Sequence, residues 1–104
     1  MPWTVVWTMA ADRDLDVAYD WEARRGRRHA ARFAASVLRS VEHLQAHPEI
    51  GTVAEDLDSE GVYRNVIVPP YRLIYRLDTD GHRILIVRLW NGRRSPDDLT
   101  LDEP

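Results

Sequence analysis

Hydrophobic and polar positions follow two different periods along the chain. Residues 3–8 (WTVVWT) alternate β-branched and aromatic side chains, which predicts a β-strand. Apolar residues three and four positions apart predict one helix over 10–24 and a second over 27–46. Only Gly26 and a few arginines separate the two, so we expect an antiparallel helical hairpin with Gly26 ending the first helix. The apolar stripe of the second helix consists of Ala30, Phe33, Ala34, Val37, Leu38, Val41 and Leu44.

The second half of the chain has the pattern of a β-meander. Residues 52–61 are acidic and rich in turn formers, which predicts a surface loop. Three strands are predicted next, over 62–68, 71–77 and 83–90, joined by short connections that contain Pro, Gly, Asn or Asp. The remaining tail, 93–104, is polar and is expected to hold at most one short helical turn.

The order β-α-α-β-β-β predicts an α+β fold of two layers, with the helical hairpin packed on one face of a mostly antiparallel sheet. The strand over 71–77 indicates which face is which, because successive side chains point to opposite sides. We expect Tyr71, Leu73, Tyr75 and Leu77 to lie under the helices. Arg72, Ile74 and Arg76 would then lie on an uncovered face, where the guanidinium groups are available to another macromolecule.

Composition restricts the class of protein. The 104 residues are 44% apolar and 30% charged, which predicts one globular domain spanning 1–104. No apolar run is long enough to span a membrane, and the N-terminal residues do not have the pattern of a secretory signal peptide. We therefore expect a cytoplasmic protein that has no membrane partner. The absence of cysteine excludes disulfides, a thiol nucleophile and thiolate metal ligands.

The charges indicate what the protein binds. All 14 basic residues are arginine, whose planar guanidinium suits carboxylates and phosphates. The net charge is nevertheless −3, which argues against a main role in gripping long nucleic acid. His43 and His47 have a spacing that can hold a metal, but no third ligand is near them in sequence. No motif indicates a cofactor, so we expect neither a metal nor a cofactor.

Two segments near the C-terminus carry a resemblance to a known family. Residues 70–76 (PYRLIYR) and 84–94 (ILIVRLWNGRR) closely resemble the C-terminal half of the RelE/ParE toxin superfamily. The resemblance covers about residues 3–99, and order, spacing and length all agree with it. The upstream positions that fit are Ala11, Leu15, Phe33, Leu38, Leu44, Pro48 and Gly51.

The resemblance implies the toxin of a bacterial type II toxin–antitoxin pair, the kind of module that stabilises plasmids. Such a toxin arrests growth when free and is neutralised in a hetero-oligomer by the antitoxin encoded beside it. Two activities occur in the superfamily. RelE-like members cut mRNA in the ribosomal A site, whereas ParE-like members inhibit DNA gyrase by protein–protein contact and have no catalytic site.

The residues that RelE-like catalysis requires are only partly present. Cleavage through the 2′-hydroxyl needs cations on the developing charge and a group that moves the proton. The resemblance carries over Arg72, Arg94 and one of two basic strand positions, Arg64. The second basic position falls on Val66, and the family's C-terminal tyrosine would fall near Thr100.

The tail 91–104 contains neither tyrosine nor histidine, so a ribonuclease would have to recruit another base. The residues available for that role are Tyr71, His82 and Asp97. This balance favours a ParE-like gyrase inhibitor over a RelE-like mRNA endonuclease. A third alternative is a degenerate member that binds antitoxin without being toxic.

The expected contact surface for antitoxin or target combines arginines with one tryptophan, since guanidinium groups pair well with carboxylates. Simpler interpretations remain open: the strand arginines can form surface ion pairs with Asp78, Asp80 or glutamates, and Trp90 can pack at the edge of the core. The surface residues are Arg72, Arg76, Arg88, Trp90, Arg93 and Arg94.

Overall fold

A computed structural model of the chain describes residues 3–58 and 60–101. Both helices, the first strand and the three-stranded meander are present where the sequence predicts them. The predicted loop contains one short additional strand, and the tail contains one 3₁₀ turn. Residues 1–2, Ser59 of the predicted loop and 102–104 of the predicted tail lie outside the described residues. The elements are β1 Thr4–Trp7, α1 Met9–Ala23, α2 Arg27–Ala46, β2 Thr52–Val53, β3 Tyr63–Val68, β4 Tyr71–Asp78, β5 Arg83–Asn91 and the 3₁₀ turn Pro96–Asp98.

The five strands form one sheet in the order β1-β5-β4-β3-β2. Strands β2 to β5 pair antiparallel, and β1 pairs parallel with β5. A parallel pair needs a long crossover connection, which the helices and the meander supply here. The expected arrangement of helices on a mostly antiparallel sheet is therefore confirmed, with a parallel strand at one edge.

Strand β1 covers only the first half of β5, since its last residue pairs Trp7 with Ile86. The start of α1 satisfies the edge of β5 beyond that point. The backbone N–H of Thr8 donates to the Ile86 carbonyl at 3.0 Å, and its hydroxyl donates to the Val87 carbonyl at 3.1 Å. The same hydroxyl accepts from Ala11 N and thereby caps α1.

The main core lies between the helices and the sheet, as expected. Tyr71, Leu73 and Tyr75 of β4 are buried against it, together with the apolar residues of the helices. The apolar stripe of α2 is wider than the sheet covers, however. Leu38 belongs to that stripe by periodicity and is 58% exposed. The prediction that the whole stripe is buried is thus wrong at its outer edge.

The other face of the sheet is not bare, which corrects the sequence prediction. Ile74, Val87 and Trp90 on this face are at most 2% exposed. Leucines from outside the sheet pack against them and cover the centre of the face. They are Leu57 from the segment after β2, and Leu99 and Leu101 from the tail. No periodic pattern marks such isolated leucines in the sequence, so the cover could not be anticipated.

A register shift between Ile74 and Tyr75 shapes this second face. Ile74 pairs with Arg88 whereas Tyr75 pairs with Ile86, so β5 carries one extra residue opposite β4. As a result Val87 and Trp90, three positions apart, both pack on the second face. Among the described residues, no helix is long and apolar enough to cross a membrane.

Candidate functional site

Arg88 is engaged within the molecule. Its Nε and Nη2 donate to the two carboxylate oxygens of Asp14 at 2.7 and 3.0 Å, and its Nη1 donates to the Thr100 carbonyl at 2.9 Å. The side chain is 14% exposed. This arginine therefore joins α1, β5 and the tail, and it does not lie open to a partner as the sequence prediction supposed.

Arg72 is also paired inside the chain. Its two terminal nitrogens contact the Asp56 carboxylate at 2.9 and 3.1 Å, a bidentate geometry. The hydrogen bond from Arg72 holds the pKa of Asp56 below its usual range. The expected carboxylate partners were Asp78, Asp80 or glutamates. Asp78 pairs instead with Arg83.

Arg94 remains exposed and lies over Trp90, with the guanidinium carbon 4.2 Å from the ring centroid. Arg88 contacts the same ring at 5.2 Å, so two cations flank one indole. Trp90 itself is 2% exposed, which confirms the interpretation that it packs at the edge of the core. Its indole Nε1 has no hydrogen-bond partner among the described residues.

Tyr71 lies on the helix side of the same region. Its hydroxyl donates to Glu22, which is 6% exposed, at 3.1 Å. Burial, reinforced by the Glu22 charge, raises the pKa of Tyr71 to about 12, and Arg93 acts weakly against that rise. A phenol held protonated in this way cannot act as a base near neutral pH.

Arg64 lies on the opposite face from Arg72. It pairs in register with Tyr75, a residue of the main core, and its Nη1 donates to the Gly51 carbonyl at 2.9 Å. Directly paired residues share a face, so the sheet separates Arg64 from Arg72 and Arg94. Arg76 is half-buried opposite Tyr63. The structure thus brings Arg72 and Arg94 to opposite sides of Trp90 but does not bring Arg64 to them.

A cavity of about 310 Å³ lies where α1 meets the ends of β4 and β5, and we call it the aromatic pocket. On the α1 side it is walled by Val17, which is 70% exposed, and Trp21, which is 55% exposed. The guanidinium of Arg24 lies 5.4 Å above the Trp21 ring. The residues that define the pocket are Val17, Trp21, Tyr71, Trp90, Asn91 and Arg94.

The rim of the aromatic pocket is cationic. Arg24 and Arg94 stack on its two tryptophans, and Arg93 is close enough to influence the Tyr71 hydroxyl. Within the described residues none of these three arginines forms an ion pair with a carboxylate. Asp14 also lines the pocket, but its charge is already compensated by Arg88. The pocket therefore suits a partner that presents an apolar or aromatic anchor beside a carboxylate.

Sequence reasoning missed the α1 side of this pocket. Trp21 was placed at the start of a helical turn, without a functional role, because its apolar neighbours in α1 gave no sign that it lies outside the core. Arg24 was taken as part of a solvated turn. One signal was available: Trp21 and Arg24 are three positions apart on a helix, the spacing at which side chains meet.

The described residues contain no group of three His, Cys, Asp or Glu side chains arranged to hold a metal ion. The rings of His43 and His47 approach each other edge to face, with centroids 5.3 Å apart. No third side chain of the described part joins them as a ligand.

Solved structures similar to this one come from toxin–antitoxin systems. The chromosomal ParDE toxin–antitoxin system of P. aeruginosa contains a chain with a TM-score of 0.68 and 23% identity, and the match covers 86% of this chain and 95% of that one. The toxin–antitoxin complex RelBE2 of Mycobacterium tuberculosis contains one with a TM-score of 0.61 and 27% identity, covering 88% of this chain and 99% of that one. The fold is therefore that of the RelE/ParE class of toxins.

The family is given by a match to the ParE toxin of type II toxin–antitoxin systems, parDE, over residues 5–96. This chain belongs to that family. The matched segment extends from β1 to the beginning of the 3₁₀ turn and includes every residue that defines the aromatic pocket. No curated protein sequence matches the chain significantly.

Proposed function

We propose that this protein is a cytoplasmic toxin that inhibits DNA gyrase through protein–protein contact and is neutralised by a cognate antitoxin in a hetero-oligomer. Family membership supports the toxin role, and the neighbouring structures come from toxin–antitoxin systems. The choice of gyrase over the ribosome depends on the arrangement of the arginines.

The observation that carries this choice is the separation of Arg64 from Arg72 and Arg94. An mRNA endonuclease has to surround one phosphate with its cations. Here Arg64 is bonded to the Gly51 carbonyl on the helix side, while Arg72 is bonded to Asp56 on the other. A protein–protein inhibitor requires no such convergence. The raised pKa of Tyr71 also weakens its candidacy as the base of a ribonuclease.

The contact surface that we propose for the target or antitoxin is centred on the aromatic pocket. It retains Trp90, Arg93 and Arg94 from the sequence prediction and adds Trp21 and Arg24. Arg72, Arg76 and Arg88 contribute by holding the surrounding segments rather than by direct contact. Exposed aromatic and arginine side chains around an apolar pocket are typical of residues that dominate interface energies.

A RelE-like endonuclease is the second candidate. The observation that favours it is the placement of Arg72 directly opposite Trp90, with Arg94 stacked on that same ring. If a messenger displaced Asp56 from Arg72, two cations would be available on one phosphate. The two candidates therefore differ in whether the free toxin acts on gyrase or on ribosome-bound mRNA.

The test is a pair of assays on the full chain made in a cell-free system. One measures supercoiling of relaxed plasmid by gyrase, and the other measures cleavage of mRNA on programmed ribosomes. We expect gyrase inhibition without mRNA cleavage. Trp21→Ala and Arg94→Gln should each weaken the inhibition by at least about tenfold, because both remove anchors of the pocket.

Arg39→Gln is the matched control, since Arg39 is exposed on α2 and bonds only to Ser36 among the described residues. It should leave inhibition unchanged. Cleavage of ribosome-bound mRNA without an effect on gyrase would establish the second candidate instead. Failure in both assays, together with antitoxin binding, would identify a degenerate toxin and overturn the proposal.

A further inference from the structure

A second cavity, of about 430 Å³, lies between α1 and α2 next to β1, and we call it the helical groove. Its walls are almost entirely apolar, and one aspartate lies at its mouth. The side chains that define it are Trp7, Leu15, Asp16, Tyr19, Val37 and Leu38. The groove is well separated along α1 from the aromatic pocket, because Leu15 and Tyr19 occupy a different face of the helix from Val17 and Trp21.

The groove leaves apolar surface in water. Leu38 is 58% exposed and Tyr19 is 44% exposed, although both follow the apolar periodicity of their helices. Val37 forms the floor at 5% exposure. Two large apolar side chains standing beside a concave apolar floor are more than scattered surface residues, and such patches mark interaction sites.

Acidic residues line both sides of the groove. On α1, Asp12 lies one turn before Asp16 on the same helix face, and both are exposed. On α2, the exposed Glu42 lies one turn after Leu38. Within the described residues none of the three carboxylates forms an ion pair, so their charges are uncompensated.

The cations of α2 mostly lie elsewhere. Arg28, Arg32 and Arg39 are spaced along the helix so that they fall on a face away from Leu38. Arg27, seven residues before the groove residue Ala34, places one cation at the hairpin end. The acidic stretch is therefore confined to the half of the groove nearest β1.

We propose that the helical groove binds an amphipathic α-helix of a partner protein, with the apolar stripe of that helix flanked by arginine or lysine. An apolar stripe at helical spacing fits a groove between two helices, as in other helix-in-groove complexes. Lysine or arginine beside the stripe would meet Asp12 and Asp16 on one side and Glu42 on the other. This partner chemistry is the reverse of the one that suits the cation-rimmed aromatic pocket, so the protein has two contact surfaces of opposite charge.

The experiment measures peptide binding to the full chain by calorimetry. Two probes have the same leucine and alanine stripe, and their flanking positions are all lysine in one and all glutamate in the other. We expect the lysine peptide to bind at least about tenfold more tightly, with an affinity that falls as salt is added. Equal binding of both peptides, or tighter binding of the glutamate peptide, would overturn the proposal.

Variants assign the binding to the groove. Asp16→Asn combined with Glu42→Gln should reduce the preference for lysine, and Leu38→Ala should weaken both peptides. The matched controls are Glu55→Gln for charge and Ile67→Ala for exposed apolar surface, since Ile67 is 61% exposed on the far side of the sheet. All four positions are on the surface, and circular dichroism verifies that each variant is folded.

Two further outcomes decide against the proposal. If controls and groove variants change binding equally, the peptide binds the acidic protein without using the groove. If the chain alone forms a dimer that Leu38→Ala dissolves, the occupant is a second copy. Because neither probe nor readout involves gyrase or mRNA, failure here leaves the proposed toxin activity unaffected.

Discussion

Arg88 of β5 holds Asp14 of α1 in a bidentate contact across 74 positions of sequence, with Nε–Oδ2 at 2.7 Å and Nη2–Oδ1 at 3.0 Å. The same carboxylate accepts the backbone N–H of Leu89 at 3.0 Å. Asp14 thus takes over the role of a neighbouring strand where β1 has ended. The contact fixes the position of α1 on the sheet and, through it, one wall of the aromatic pocket.

Replacing Asp14 by Asn should lower the free energy of unfolding by about 2 to 3 kcal/mol, because it leaves the Arg88 guanidinium uncompensated in a mostly buried place. Urea denaturation of Asp14→Asn, Arg88→Met and the double variant measures the effect. The double variant should lose less than the sum of the single losses, since it contains no unpaired charge. Additive losses would mean that the two side chains do not depend on each other.

Gly51→Ala should destabilise the fold by about 1 to 3 kcal/mol through overpacking. A methyl group at Gly51 would stand 2.5 Å from the Tyr75 hydroxyl, which accepts from Gly51 N at 2.9 Å. Thermal unfolding checks this expectation. Gly81→Ala is the control, because there the methyl meets only the mobile ends of Arg83 and Asp78. Equal melting temperatures for the two variants would contradict the expectation.

The layered fold could be predicted from sequence because its signals are local. The alternation around Tyr71, Leu73 and Tyr75 and the stripe of α2 identify strands, helices and the buried face from neighbouring residues alone. The parallel pairing of β1 with β5 carries no local signal, since it is set by how the helical hairpin returns the chain. The same limit explains the covered sheet face, where Leu99 packs on Ile74 from a tail without periodicity.

Tyr71 should titrate at about pH 12, which absorbance of the phenolate measures directly. Burial and the Glu22 charge favour the neutral phenol in the folded state. Its contribution to stability is therefore complete below the ordinary pKa of 10.0 and is lost as the pH rises from there toward 12. Glu22→Gln should move this titration to lower pH, because it removes the adjacent negative charge.

Tyr71→Phe identifies the band in that titration, since it removes the phenol while keeping the ring in the core. A titration unchanged by Glu22→Gln would show that the carboxylate does not influence the hydroxyl. The other three tyrosines serve as internal references in the same spectra.

Arg72→Ala should return the pKa of Asp56 toward its ordinary value of 3.8, because the hydrogen bond from Arg72 is what lowers it. The pair contributes stability above that value and loses it as the pH falls through the lowered pKa. Asp56 is half exposed, so the effect on unfolding should stay within about 1 kcal/mol. Carboxyl NMR titration checks the pKa, and the Asp78 resonance should not move.

The site was less predictable than the fold, because its arginines differ in partners rather than in type. Nothing in sequence separates Arg88, which Asp14 neutralises, from Arg94, which stays exposed on Trp90. Carboxylates 16 and 74 positions away make that difference. The family resemblance supplied the correct superfamily, whereas pairing inside the chain decides which arginines remain for a partner.

Strand β1 has a consequence for synthesis on the ribosome. Its strand neighbour is β5, and the hydrogen bond that seals their junction, from Thr8 to Val87, joins residues 79 positions apart. A nascent chain can form its helical hairpin early, but the sheet cannot close until β5 has emerged from the exit tunnel. Folding is therefore completed after nearly all of the chain has been translated, and until then the emerging polypeptide lacks one wall of the groove beside β1.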